Sequence, residues 1–351
     1  MKRFVATFVL LLSIASPATA TGLIEESIRL PARFEGVFGA DTANLDALVI
    51  RPDDGARHPL AVLNHGTTAG QEKHKSPRGM RGQALEFARR GWVSVTFTRR
   101  SFGASEGSFA EHTGKSCDRA VYEPAARAAA EDVREVIRLM AEKPYVDGSR
   151  VISVGQSTGG LATVALTAAP PPGLVAAINF AGGHGASGHD DSVRPNMVCN
   201  ESALIEAFAA FGKTSRIPML WVYAENDHYF GPALAKKLYA AFTEGGGEAE
   251  FIAAPAFGSE GHFLFSRAGT PLWTKYVDAF LEKQKLKLLD LPLPIVDGSD
   301  VRYPSGLNEP GRISFLDFLD ARGHKAFVMS AGGHYCWFSG RDSVDVAVGE
   351  A

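Results

Sequence analysis

Short, uninterrupted apolar runs alternate with helical patterns through the middle of the chain, and this alternation restricts the fold more than any other feature. Residues 60–64, 151–154, 174–180 and 219–223 are such runs, 92–97 is rich in β-branched and aromatic residues, and 250–253 forms a last short one. Between them, 79–90, 160–168 and 271–283 read as helices. A further helix opens at Pro124, a residue suited to a first turn. It carries Ala129, Val133, Val136 and Met140 on one face and ends before Pro144. A strand that is apolar at nearly every position must be covered on both faces. Such strands separated by helices predict an α/β fold, a mostly parallel central sheet flanked by helices.

The run 151–154 leads into Gly155-Gln156-Ser157-Thr158-Gly159, and a helix follows at once. A G-x-S-x-G between a strand and a helix forces its serine into a tight, strained turn and presents the hydroxyl beside a helix N-terminus. Ser157 is the candidate nucleophile. A serine hydroxyl needs a base, and the base needs an orienting carboxylate, which a chain of this kind supplies in the order Ser, acid, His. The run 219–223 ends in Ala224-Glu225-Asn226-Asp227. Asp227 is the candidate acid, with Glu225 in reserve. After the last strand comes Gly258-Ser259-Glu260-Gly261-His262-Phe263, which makes His262 the candidate base. An oxyanion needs two backbone donors. The amide of Thr158 follows the nucleophile, and the turn Asn64-His65-Gly66-Thr67 offers the amide of Thr67. His65 is read as bracing that turn, not as a base.

The segments NHGTTAG, RRGWVSVTFTRRSFGASEG, VISVGQSTGG, LWVYAENDHYF and GSEGHFLF resemble, in this order, the α/β-hydrolase superfamily. Within it they resemble the bacterial dienelactone-hydrolase-like and prolyl-oligopeptidase-like hydrolases. The resemblance runs from residue 60 to 265 and implies an α/β-hydrolase fold. It also implies acyl transfer from an ester or amide to water, with neither metal nor organic cofactor. Dienelactone hydrolases use a cysteine nucleophile where Ser157 stands here, which favours general ester cleavage over a diene-lactone substrate. The expected substrate is a small-molecule ester or, alternatively, a short peptide. A third reading keeps the scaffold but makes it a non-catalytic binding protein, since fold alone does not dictate function.

The chain ends are read separately. Lys2 and Arg3, the apolar run 4–14 and Ala18-Thr19-Ala20 have the layout of a signal peptide spanning 1–20, with an uncleaved anchor as the alternative. The expected protein is therefore periplasmic or secreted, with no membrane association once the leader is removed. In such a compartment Cys117 and Cys199 are candidates to pair, leaving Cys336 single; the alternative is three buried thiols. The catalytic domain is expected over 21–290 and a proline-rich connector over 291–310. A small α+β C-terminal appendix over 311–351 should contain a helix, two strands and an acidic tail. With 21% charged residues, 45% hydrophobic ones and a net charge of −3, the chain is neither disordered nor a coiled coil. It also lacks the basic balance of a nucleic-acid binder. Three weaker signals remain. Arg100 follows a strand end and is a candidate for binding a substrate carboxylate, against a structural role in its loop. His184, His189, Asp190 and Asp191 lack the spacing of a metal site. Phe263, Phe265 and Trp221 are read as core. Oligomeric state is left open.

Overall fold

The structure, a computed structural model, describes residues 22–36, 39–67, 72–186, 197–293, 303–320, 324–330 and 332–351. The expected signal peptide and its cleavage point lie outside the described residues. So do His189, Asp190, Asp191 and residues 294–302 of the expected connector.

Eight strands form one sheet: β1 (Leu23–Gly36), β2 (Gly39–Pro52), β3 (His58–Asn64), β4 (Val93–Phe97), β5 (Val146–Gln156), β6 (Leu174–Phe180), β7 (Met219–Ala224) and β8 (Ala249–Ala254). Their spatial order is β1-β2-β4-β3-β5-β6-β7-β8. The pairs from β4 to β8 are parallel, whereas the β1–β2 hairpin is antiparallel and joins β4 antiparallel. That hairpin was not anticipated. Its strands alternate apolar with polar residues at the sheet margin, so they lack the continuous apolar signature of the interior.

The interior strands bury alternate residues on opposite faces, as the pleat demands. Val62, Val151 and Ala177 join one apolar cluster, and Leu63, Ile152 and Ile178 join the other. Helices α1 (Arg81–Arg89) and α6 (Thr270–Lys283) cover the second cluster with Phe87, Trp273, Val277 and Phe280. Helices α2 (Glu123–Ala141), α3 (Thr158–Thr167), α4 (Glu201–Gly212) and α5 (Pro232–Glu244) cover the first. Every residue of α3 is buried, consistent with a helix that is apolar almost all round. The helix was expected from residue 160 and in fact starts at Thr158, so Ser157 itself is its N-cap. Among the described residues no helix is long and apolar enough to cross a membrane.

Helix α7 (Glu309–Asp320), the antiparallel pair β9 (His324–Met329) and β10 (Tyr335–Arg341), and helix α8 (Val344–Glu350) make up the appendix. Two expectations need correction here. Residues 309 and 310 were placed in the connector but begin α7. The acidic tail is helix α8, capped by Ser343 Oγ, which accepts the amide of Val346 at 3.1 Å. Aromatic rings supply the appendix with its own small core: Phe327 meets Phe315 edge-on at 5.0 Å and stacks on Tyr335 at 5.6 Å.

Candidate active site

The strand order turns at β3. The chain passes from β3 to β4 on one side and then crosses to β5 on the other. Where an open parallel sheet reverses direction, the loops leaving the two neighbouring strands part and leave a crevice beyond their carboxyl ends. Asn64 of β3 pairs with Gly155 of β5, so the turns after these strands face each other across that crevice.

Ser157 has φ 57° and ψ −124°, a strained conformation for a non-glycine residue. Three backbone bonds hold it there. Its amide donates to Phe180 O at 3.0 Å, and its carbonyl accepts from Leu161 N at 3.0 Å and Gly183 N at 3.1 Å. Close approach explains two glycines. A Cβ on Gly159 would lie 2.2 Å from Asn64 O, and one on Gly66 would lie 2.9 Å from Ser157 Cβ. Thr158 opens α3, so its amide has no acceptor within the helix.

Asp227 is buried beyond the end of β7. Its Oδ1 accepts the amides of Tyr229 and Phe230, each at 2.8 Å. Its Oδ2 accepts from His262 Nδ1 at 3.1 Å. That bond places the ring proton on Nδ1 and leaves Nε2 as an acceptor. Glu225, the reserve acid, is exposed. The imidazole of His262 stacks on Tyr229 with centroids 4.2 Å apart. Its backbone is fixed from both sides. Glu260 Oε1 accepts the His262 amide at 2.9 Å, and Gln156 Nε2 donates to the His262 carbonyl at 2.9 Å. His228, next in sequence to the acid, is engaged elsewhere: its Nδ1 bonds Glu260 Oε2 at 3.1 Å. Ser157, His262, Thr67 and Gly66 line one cleft of about 680 Å³. The structure thus brings together the expected nucleophile, acid, base and oxyanion turn.

Arg100 does not belong to this group, and its expected contact with substrate is corrected. Its Nε donates to Asp132 Oδ1 at 2.7 Å, its amide donates to Asp132 Oδ2 at 2.6 Å, and its guanidinium covers the Phe34 ring at 3.6 Å. Burial pushes the Asp132 carboxyl up to about 6, against the opposing pull of Arg100. The neighbouring residue matters more. Arg99 is fully buried and holds the crevice floor together. It donates to Glu111 at 2.5 Å and 3.1 Å, and to Asn64 Oδ1 and His65 O at 2.6 Å each. Successive residues leaving a strand point to opposite sides, and it is Arg99 that turns inward. His65 braces this turn, as read from the sequence. Its Nδ1 donates to Gly66 O at 2.8 Å and its Nε2 accepts the Arg99 amide at 3.2 Å. Burial, then the charges of Arg99 and Lys75, hold its pKa well below the usual histidine range.

Cys117 and Cys199 form a disulfide, and Cys336 is free and exposed. Among the described residues no group of three His, Cys, Asp or Glu side chains is placed to hold a metal. Trp221 and Phe265 are core, but Phe263, also read as core, is 43% exposed and lines the cleft. Sequence reasoning missed the supports of His262, namely Gln156, Tyr229 and Glu260. It also missed the roof: Trp337, Phe338 and Arg341 of β10 line the cleft, and Phe338 meets His74 edge-on at 5.9 Å.

The profile of the X-Pro dipeptidyl-peptidase (S15) family matches residues 41–241. A search of curated proteins finds no significant match. Among solved structures the fold is similar to the esterase Pf2001 of Pyrococcus furiosus, with TM-score 0.51 and 12% identity over 74% of this chain and 93% of that one. It is also similar to the acylaminoacyl peptidase of Pyrococcus horikoshii, with TM-score 0.50 and 17% identity over 78% of this chain but 43% of that longer one. With the strand order, the strained serine and the profile spanning more than half its length, the chain belongs to the X-Pro dipeptidyl-peptidase (S15) family, as a serine hydrolase of the esterase and peptidase kind on an α/β-hydrolase fold.

Proposed function

We propose that this protein is an exported serine esterase that cleaves carboxylic esters through an acyl-enzyme. Ser157 Oγ attacks the ester carbonyl, and His262 Nε2 takes its proton. Asp227 holds the imidazole with Nδ1 protonated and stabilises the imidazolium that forms. The amides of Thr67 and Thr158 receive the oxyanion of the tetrahedral intermediate. His262 then returns the proton to the departing alcohol, and a water deprotonated by the same imidazole releases the acid. The observation that carries this reading is the buried Asp227–His262 pair beside a strained serine in one cleft.

The charge of the cleft supports an ester over an X-Pro peptide. A dipeptidyl-peptidase must hold the ammonium of a peptide N-terminus, which calls for free carboxylates. Here Lys73, Lys75, Arg78 and Arg341 line the cleft. Its one described carboxylate, Asp46, faces Arg29 at 3.9 Å and is pushed up by burial. The peptidase reading draws on the family match. Export is supported by the disulfide, since such bonds persist in oxidising compartments. The test pairs aryl esters with Ala-Pro anilides in the wild type and Ser157→Ala. Ester turnover and fluorophosphonate labelling should both disappear in the variant. Undiminished ester hydrolysis by Ser157→Ala would refute the nucleophile, and faster anilide than ester cleavage would favour the peptidase.

A further inference from the structure

The cations around the cleft are not equivalent. Arg78 is bound to Glu25 at 2.7 Å and to Ser27 Oγ at 3.0 Å. Arg341 is bound to Glu350 at 2.5 Å. Lys73 Nζ donates to Ser101 O at 3.0 Å. Lys75 has neither an ion pair nor a hydrogen bond from its ammonium to any described residue, although it is half-buried. It lines both the cleft of Ser157 and His262 and an adjoining cavity of about 350 Å³. Its charge is felt by His65, next to the oxyanion turn. Burial, then repulsion from Arg99, lowers its pKa to about 8, while Glu72 opposes the shift. A protein rarely leaves a half-buried ammonium without a partner, because desolvation disfavours the charge and nothing returns the loss.

We propose that Lys75 is the docking point for a carboxylate on the substrate, so that the cleft selects esters carrying one negative charge. The inference rests on the ester-hydrolase reading of this site. One ammonium matches one anionic group, and as a point charge on a flexible stem it accepts a carboxylate without demanding a forked geometry. In a half-buried site the attraction is stronger than on an open surface. Trp337 and Phe338 supply an apolar wall for the methylenes between that carboxylate and the scissile ester. The other cations add a positive field that draws anions into the cleft but are already held by partners of their own.

Monomethyl esters of four- to six-carbon dicarboxylic acids, compared in a pH-stat with methyl esters of the matched monoacids, test the proposal. The wild type should favour at least one half-ester in kcat/KM by about tenfold or more, the low end for a hydrogen bond to a charged group. Lys75→Met should lower that ratio about tenfold, through KM, and Lys75→Arg should restore most of it. A wild-type ratio at or below one for every chain length, or a ratio unchanged in Lys75→Met, overturns the proposal. Calorimetric titration of Ser157→Ala with the same half-esters reads binding without turnover. Affinity that does not weaken on adding Lys75→Met also overturns it. If no ester is hydrolysed while that Lys75-dependent binding persists, the ester reading fails and the anion site stands.

Discussion

Asp227→Asn isolates what the buried carboxylate contributes, because the side chain keeps its shape and loses only its charge and one acceptor. Oδ1 of Asp227 receives two backbone amides at 2.8 Å each, and Oδ2 receives His262 Nδ1 at 3.1 Å. The asparagine oxygen must stay on the two amides. Turning the amide round would leave both buried donors facing an NH₂ group, at about 1–3 kcal/mol each. The NH₂ group therefore points at His262 Nδ1, which can only answer with a lone pair. The ring proton moves to Nε2, and the nitrogen that must accept the serine proton already carries one. Loss of the correct tautomer in such a constellation lowers kcat about 10⁴-fold, or about 5.4 kcal/mol of transition-state stabilisation. Folding stability should fall by less than about 2 kcal/mol, since one hydrogen bond is exchanged for another. Aryl-ester kinetics and urea denaturation of the same preparation read both quantities. A folded variant that keeps kcat/KM within tenfold of wild type would refute the assigned roles of Asp227 and His262.

Arg99→Met should destabilise the protein by about 3–5 kcal/mol, because it leaves Glu111 as an uncompensated buried charge; the midpoint of urea denaturation checks this, and a loss under 1 kcal/mol would contradict the proposed role of the crevice floor. The lowered pKa of His65 gives stability an acid limb. The unfolded chain takes up a proton on this residue near pH 6.5 whereas the folded one does not, so stability is complete above about pH 6.5 and falls below it by up to about 1.4 kcal/mol per pH unit. Denaturation curves at several values between pH 7 and pH 5 should show a shallower slope in His65→Gln than in the wild type.

Much of the interior could be read directly from residue order. Strands buried on both faces have to be apolar at successive positions, so 174–180 was placed to the residue and 219–223 missed only Ala224. The turn at Ser157 was legible for the same local reason: glycines at 155 and 159 stand where any side chain would strike the backbone. The β1–β2 hairpin was not legible, because a margin strand mixes polar and apolar residues. The different fates of Arg99 and Arg100 were not legible either. Both follow β4, and only the direction in which each leaves the strand sends one to the crevice floor and the other to Asp132.

The apolar interior strands and the tight turn at Ser157 belong to the sequence itself, because each depends on periodicity or turn chemistry over a few residues. The tertiary structure alone decided which groups surround them. Glu260 and Gln156 steady His262, and β10 folds back over the cleft. Lys75 lines that cleft with no ion pair or hydrogen bond from its ammonium among the described residues. These are contacts between segments far apart in the chain, set by how the layers pack, and no local pattern encodes which charge will lack a partner.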